Sequence, residues 1–191
     1  MKKTFVILFF ATFISTAGYS QFTKGKMMIG GSFSADFDAN KYKNNGTTTK
    51  GATTNSISFY PQVGYFFMDN FAAGAGLSLG TSSTKSGSTT LVYTTTFLSP
   101  FARYYFGNIY GQLGLDLGSS KLKTENGGTT TTTKTNGSGW SLAAGYAYLL
   151  NEHVAIEPQL GYGLNYSDAD PGTNIRGGLF IKAGIQVYIG K

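Results

Sequence analysis

The sequence predicts an all-β protein, an eight-stranded antiparallel up-and-down transmembrane β-barrel. Three observations predict it. First, Val154, Ile156, Pro158, Leu160, Tyr162, Leu164 and Tyr166 share one parity, and Ala155, Glu157, Gln159, Gly161, Gly163 and Asn165 the other. Strand side chains alternate between faces, so this strand has one bulky apolar face and one small or polar face, poor material for a water-excluding core. Second, seven further segments alternate in the same way. Third, the connections between them are alternately short and long, the asymmetry of a barrel with short turns at one rim and long loops at the other.

The elements follow in order. The first strand is expected over Met27 to Phe37, with Ile29, Phe33, Ala35 and Phe37 outward and Ser32, Ser34 and Asp36 inward. The second, Ser56 to Phe66, turns Ile57, Phe59, Pro61, Val63 and Tyr65 outward, and the third, Phe71 to Thr81, does so with Phe71, Ala75, Leu77 and Leu79. In the fourth, Leu91 to Tyr105, matching Pro100 to Pro61 puts Leu98, Pro100, Ala102 and Tyr104 outward and Phe101 and Arg103 inward. The fifth, Ile109 to Ser119, sets Leu113, Leu115 and Leu117 against Gln112, Gly114, Asp116 and Gly118. The sixth, Trp140 to Tyr148, points Leu142, Ala144, Tyr146 and Tyr148 outward. After the seventh, Val154 to Tyr166, the eighth runs from Ile175 to Ile189 and opposes Leu179, Ile181, Ala183, Ile185, Val187 and Ile189 to Phe180, Lys182, Gly184, Gln186 and Tyr188.

The short connections are Phe67 to Asn70, Phe106 to Asn108 and Leu149 to His153; the long ones are Asp38 to Asn55, Ser82 to Thr90, Ser120 to Gly139 and Ser167 to Asn174. The runs Thr47–Thr49 and Thr129–Thr133 and the pair Ser119-Ser120 read as solvated, mobile loop material. Gly64-Tyr65-Phe66-Phe67, Arg103-Tyr104-Tyr105-Phe106 and Gly145-Tyr146-Ala147-Tyr148 each precede a short turn, so aromatic rings gather at one rim. With Phe37, Phe59, Tyr93 and Tyr166 near the other, they would form the two interfacial girdles of a membrane barrel.

Residues 1–20 read as a cleavable signal peptide and 21–191 as one barrel domain. Lys2 and Lys3 precede an apolar run from Phe5 to Ile14, too short for a transmembrane helix, and Gly18 and Ser20 are small residues before a cut at Gln21. The 191-residue chain has no cysteine, hence no disulfide and no lipid-modified cysteine. Only 13% of residues are charged and 27 are glycine, while 15% are aromatic, a composition suited to strands. Removing Lys2 and Lys3 takes the formal charge from +6 to +4. Most of that excess falls in loops, at Lys41, Lys43, Lys50, Lys85, Lys121, Lys123 and Lys134, a weak attraction for anionic surface sugars or phosphates. Diluted in threonine and glycine, these charges match no nucleic-acid module.

With its signal peptide, eight strands, aromatic hairpin ends and apolar last strand Leu179–Ile189, the chain resembles the small bacterial outer-membrane β-barrel family: the OmpX-like and Ail-like proteins and the OmpA transmembrane domain, porin-family proteins. The resemblance covers nearly all of residues 22–191. It implies a barrel in the cell outer membrane of a Gram-negative bacterium and does not imply an activity. Members often end on an aromatic residue, whereas this chain ends Tyr188-Ile189-Gly190-Lys191.

The nearest thing to a site is an interior polar plug of Arg103, Asp116, Glu157, Gln159, Lys182 and Gln186, all of inward parity. An eight-stranded barrel is just wide enough to be filled with side chains, and charges inside it must be paired. Arg103 with Asp116 or Glu157, and Glu157 with Lys182, are the expected pairs; inward glycines such as Gly74, Gly76, Gly114 and Gly161 would make room. A serine at Gly161 is expected to be milder than an arginine at Leu160 on the lipid face. No catalytic, cofactor or metal residue is assigned. The single histidine, His153, falls in a short turn, and Asp168, Asp170 and Asn174 read as turn chemistry rather than a Ca²⁺ site.

The expected function is therefore that of a non-enzymatic, monomeric barrel in contact with outer-membrane lipid. Loops 38–55 and 120–139 are the candidate surfaces for interaction or adhesion, with simple envelope support as a further role. The alternatives are a narrow porin-like channel, a lipid-modifying outer-membrane enzyme and a soluble exported ligand-binding barrel, the last of which requires an apolar interior.

Overall fold

The structure, a computed structural model, describes residues 22–44, 47–168 and 173–190. It holds β1 (Met27–Asn44), β2 (Thr47–Met68), β3 (Phe71–Ser86), β4 (Thr89–Phe106), β5 (Ile109–Asn126), β6 (Thr129–Tyr146), β7 (Tyr148–Leu149), β8 (Val154–Asp168) and β9 (Thr173–Ile189). The proposed signal peptide, its cleavage point and Asp170 lie outside the described residues, as do the side chains of Ala35, Asp36, Phe37, Lys41, Lys43 and Lys50.

β1 to β6 pair antiparallel in chain order, β8 pairs with β9 and with both β6 and β7, and β1 pairs with β9, so the sheet closes on itself. The element count is nine where eight strands were expected, because the sixth is interrupted. β6 and β7 meet β8 in one continuous register (Gly145 opposite Gln159, Tyr148 opposite Ile156). Between them the Ala147 amide donates instead to the Asn108 carbonyl of the β4–β5 turn, at 2.7 Å. The ring is sealed by a short seam: β1 and β9 pair over six positions, from Met27–Ile189 to Ser32–Gly184, whereas β5 and β6 stay in register over their whole lengths.

The outward rows are apolar over a limited height. On β5, Ile109, Leu113, Leu115 and Leu117 are exposed before the row turns to Ser119, Lys121, Lys123 and Glu125. On β4 it runs from Tyr104 to Leu98 and then becomes threonine, and on β8 it holds Ile156, Leu160 and Tyr162. Nine residues from Ile109 to Leu117 match the ~9–11 needed to cross a bilayer on a tilted strand. Exposure of this kind costs a soluble protein dearly, and it is the arrangement that lipid favours, because a closed ring leaves few backbone groups unpaired. It is also the reverse of the apolar-inside pattern of a soluble ligand-binding barrel.

Three of the predicted loops are corrected. Asp38–Asn55, Ser82–Thr90 and Ser120–Gly139 are mostly strand, and the hairpins continue well beyond the apolar belt to end in tight turns at Gly87 and at Gly127-Gly128. Gly127 and Gly128 both have positive φ, 54° and 87°, the requirement of a two-residue hairpin turn whose twist matches its strands. The threonine runs thus extend strands and are not loop material; β-branched residues favour that conformation. Asp168 pairs with Thr173 and Ser167 with Asn174, so strand pairing also reaches into the last of the expected loops.

Candidate functional site: the barrel interior

The inward parity of each strand points into one lumen, which divides into a sealed end and an open end. At the end of the short turns, Phe22 lies beneath the ring and is wholly buried. It stacks on Tyr105 with ring centroids 3.9 Å apart and meets Tyr188 edge-on at 5.4 Å. The segment carrying it is tied to the ring: the Asn70 amide donates to the Phe22 carbonyl at 2.6 Å, and the Gly25 amide donates to Phe66 at 2.9 Å. Phe66, Ala72, Ala147, Ala155 and Met28 complete this apolar floor.

Directly above sits a buried ion pair. Arg103 Nη1 lies 2.6 Å from Glu157 Oε2, and both side chains are almost fully enclosed. β4 and β8 are not neighbours in the sheet, so the pair spans the lumen. Arg103 Nε and Nη2 donate to Gln112 Oε1 at 2.9 and 2.7 Å, and Nη1 also donates to the Tyr105 hydroxyl at 2.9 Å. The guanidinium lies 4.1 Å from the Tyr110 ring centroid, a cation–π contact. On the acid side, Tyr188 donates its hydroxyl proton to Glu157 Oε1, and the Tyr105 and Tyr188 hydroxyls are 3.1 Å apart. A lone charge in such a place would be very costly; this one is both paired and hydrogen-bonded.

The six residues singled out from the sequence all lie in the lumen, but not as one cluster. Arg103 joins Glu157 and not Asp116. Asp116 accepts a hydrogen bond from the Ser99 hydroxyl. Lys182 does not pair with Glu157; its Nζ sits over the rings of Phe180 and Tyr60, 4.5 and 5.0 Å from the centroids. Gln186 is buried, and its Oε1, like Gln159 Nε2, has no hydrogen-bond partner among the described residues. Both face a cavity of about 30 Å³ that also touches Arg103, Glu157 and Lys182, room for one or two waters to satisfy them.

Sequence reasoning passed over Gln112, Tyr105, Tyr110, Tyr188 and Phe22 as members of this centre. The available signal was parity: Tyr105 shares it with Arg103, Tyr110 with Gln112, and Tyr188 with Gln186. The aromatic rim is accordingly corrected. Tyr65, Phe67, Tyr104, Phe106 and Tyr148 face outward, while Phe66 and Tyr105 turn inward and build the floor. Tyr93 is corrected too, since it follows Arg103 parity and lines the lumen instead of joining the outer girdle. His153 lies in the turn before β8, where Asn151 Oδ1 accepts from its amide at 2.8 Å.

Above the ion pair the lumen opens into a cup of about 670 Å³. Its wall is largely serine, threonine and glycine with Phe97, Phe180 and Tyr93, and Lys182 and Asp116 lie near its base. Matched polar pairs knit the wall, Ser56 to Ser82 at 2.9 Å and Thr54 to Thr84 at 3.0 Å. The molecule is a cup with a closed base and a mouth at the end of the long hairpins.

No family model and no curated protein sequence matches the chain. Solved structures do. Ail, the attachment invasion locus protein of Yersinia pestis, aligns at 12% identity with a TM-score of 0.51, covering 87% of this chain and 100% of that one. Neisserial surface protein A aligns at 19% identity and 0.46, covering 86% and 97%, and the N-terminal barrel domain of OprF from Pseudomonas aeruginosa at 13% and 0.46, covering 87% and 98%. At these identities the likeness concerns fold, and the alignment with Ail carries it: this chain has the fold of the small eight-stranded outer-membrane β-barrels.

Proposed function

We propose that this protein is a non-enzymatic, plugged barrel of the outer membrane, working through the strand-built rim that it raises above the lipid. The single observation that supports this reading most is the sealed base, with the Arg103–Glu157 pair and its tyrosines directly over the Phe22 floor. A polar lumen alone would suit a channel. Side chains this large, closed this tightly at one end, suit a rigid stand for the hairpins, which the closed ring holds out past the apolar belt. Interaction or adhesion at the cell surface is the role such a stand serves, and hairpins β1–β2 and β5–β6, the longest, are its contact surfaces.

Two measurements test the reading. Protein extracted with detergent is expected to show heat-modifiable migration and, in planar bilayers, no steady open state; a stable pore of substantial conductance overturns the plug. Shortening β5–β6 to its belt, by removing residues 121–134, is expected to leave the barrel folded and to abolish binding of cells to the host or neighbouring surface. Undiminished binding with both long hairpins trimmed overturns the role of the rim.

A further inference from the structure

Climbing the outward face of the β5–β6 hairpin, the register reads Leu115 opposite Trp140, Leu117 opposite Ser138, Ser119 opposite Asn136 and Lys121 opposite Lys134. The apolar belt therefore ends at Leu117 and Trp140, and Trp140, the only tryptophan in the chain, stands where that side chain favours the interface. Two like charges then face each other directly across the strands. Opposed like charges weaken a sheet, and neither lysine has an ion-pair partner among the described residues. Lys123, one step further out, is different: its Nζ lies 2.5 Å from Glu125 Oε1.

Height decides what can sit between Lys121 and Lys134. Four residues at ~3.4 Å each on a strand tilted by ~40° place Lys121 about 10 Å above Leu117. A lysine side chain reaches several ångströms back toward the membrane, so both ammonium groups can meet at headgroup level. We propose that Lys121 and Lys134 form a clamp for the phosphate of an outer-leaflet lipid headgroup. The anion would neutralise both charges, turn a repulsive register into an attractive one, and fix the depth of the barrel in its bilayer.

Trp140 supplies the probe. The full chain, folded into phosphatidylcholine vesicles with a few per cent of dansyl-labelled phosphatidic acid, is expected to transfer energy from Trp140 to the label well beyond the level for random mixing. Each lysine beside an anionic surface contributes roughly a fivefold preference, so the Lys121→Gln/Lys134→Gln double variant is expected to lower the enrichment about tenfold or more. Removing exposed like charges should leave folding intact, and heat-modifiable migration checks that. Lys123→Gln is expected to change little. Equal enrichment in wild type and double variant overturns the clamp, and so does an equal loss in Lys123→Gln. Displacement of the labelled lipid by millimolar inorganic phosphate would show a site for the free ion and would also overturn it; persistence of the enrichment supports the lipid.

Discussion

The two halves of the lumen are built from the same strands and differ almost completely. In the lower half the inward rows carry large side chains set among alanines and glycines, and rings, guanidinium and carboxylate interlock until almost no space is left. In the upper half the same parity delivers serine, threonine and glycine around an open cup. Strand number sets the width of the barrel, but side-chain volume decides whether that width is a plug or a vestibule. The contrast also separates two uses of polarity: below, each charge is enclosed and needs its partner; above, water supplies one.

Removing an enclosed partner should therefore have the largest effect. Arg103→Met leaves Glu157 buried without its cation and is expected to cost about 3–5 kcal/mol, read from urea unfolding in detergent micelles. The matching change in the upper half, Arg176→Met, at an exposed arginine on the wall of the cup, is expected to stay within about 0.5 kcal/mol. Similar costs for the two would erase the distinction between plug and vestibule.

The outer surface offers the same comparison at the edge of the belt. Leu160 faces lipid on β8, and Leu160→Arg should cost about 2–4 kcal/mol in vesicles, whereas Thr132→Arg, on the outward row of β6 beyond the belt, should cost about 0–1 kcal/mol. A large penalty at Thr132 would mean that the apolar band reaches further up the hairpins than their sequence suggests.

The smallest effects belong to two glycines one layer apart. A Cβ on Gly161 would lie 2.4 Å from the Phe180 ring, 2.7 Å from Ala143 Cβ and 2.8 Å from the Leu142 carbonyl oxygen. Gly161→Ser, expected from the sequence to be milder than Leu160→Arg, is thus expected to cost about 1–3 kcal/mol through overpacking. At Gly163 the nearest atom would be 3.5 Å away, ordinary contact, and Gly163→Ser should change the unfolding midpoint very little. If Gly163→Ser proves the costlier of the two, the lumen widens lower down than described.

What the sequence made legible was whatever carried contrast between faces. The belt was readable because leucine and tyrosine alternate with glycine and glutamine, and the inward placement of Arg103, Glu157 and Lys182 followed from that alternation. The upper hairpins were misjudged because threonine, serine and lysine occupy both faces there, which removes the period-two signal although the strands go on. The choice of partner for Arg103 was hidden for another reason. Parity says which side chains share a lumen but not which share a height, and it took the register to lift Glu157 opposite Arg103 while leaving Asp116 to Ser99. Phe22 gave no signal of its own, since its burial depends on a fold of the chain beneath the ring.

The six-residue seam between β1 and β9 bears on how such a ring comes into being. Every other long strand can find its partner by folding back over a turn, a local search that closes small loops. β1 must find a strand that lies almost a whole chain length away, so the entropy of that encounter is the greatest in the molecule and its reward in hydrogen bonds the least. Assembly would then proceed as a growing curved ribbon of hairpins whose first and last members join at the end, and dismantling would run in the opposite order. On that order, the lifetime of the barrel would depend less on the dense centre around Arg103 than on how long six pairs at the join stay shut.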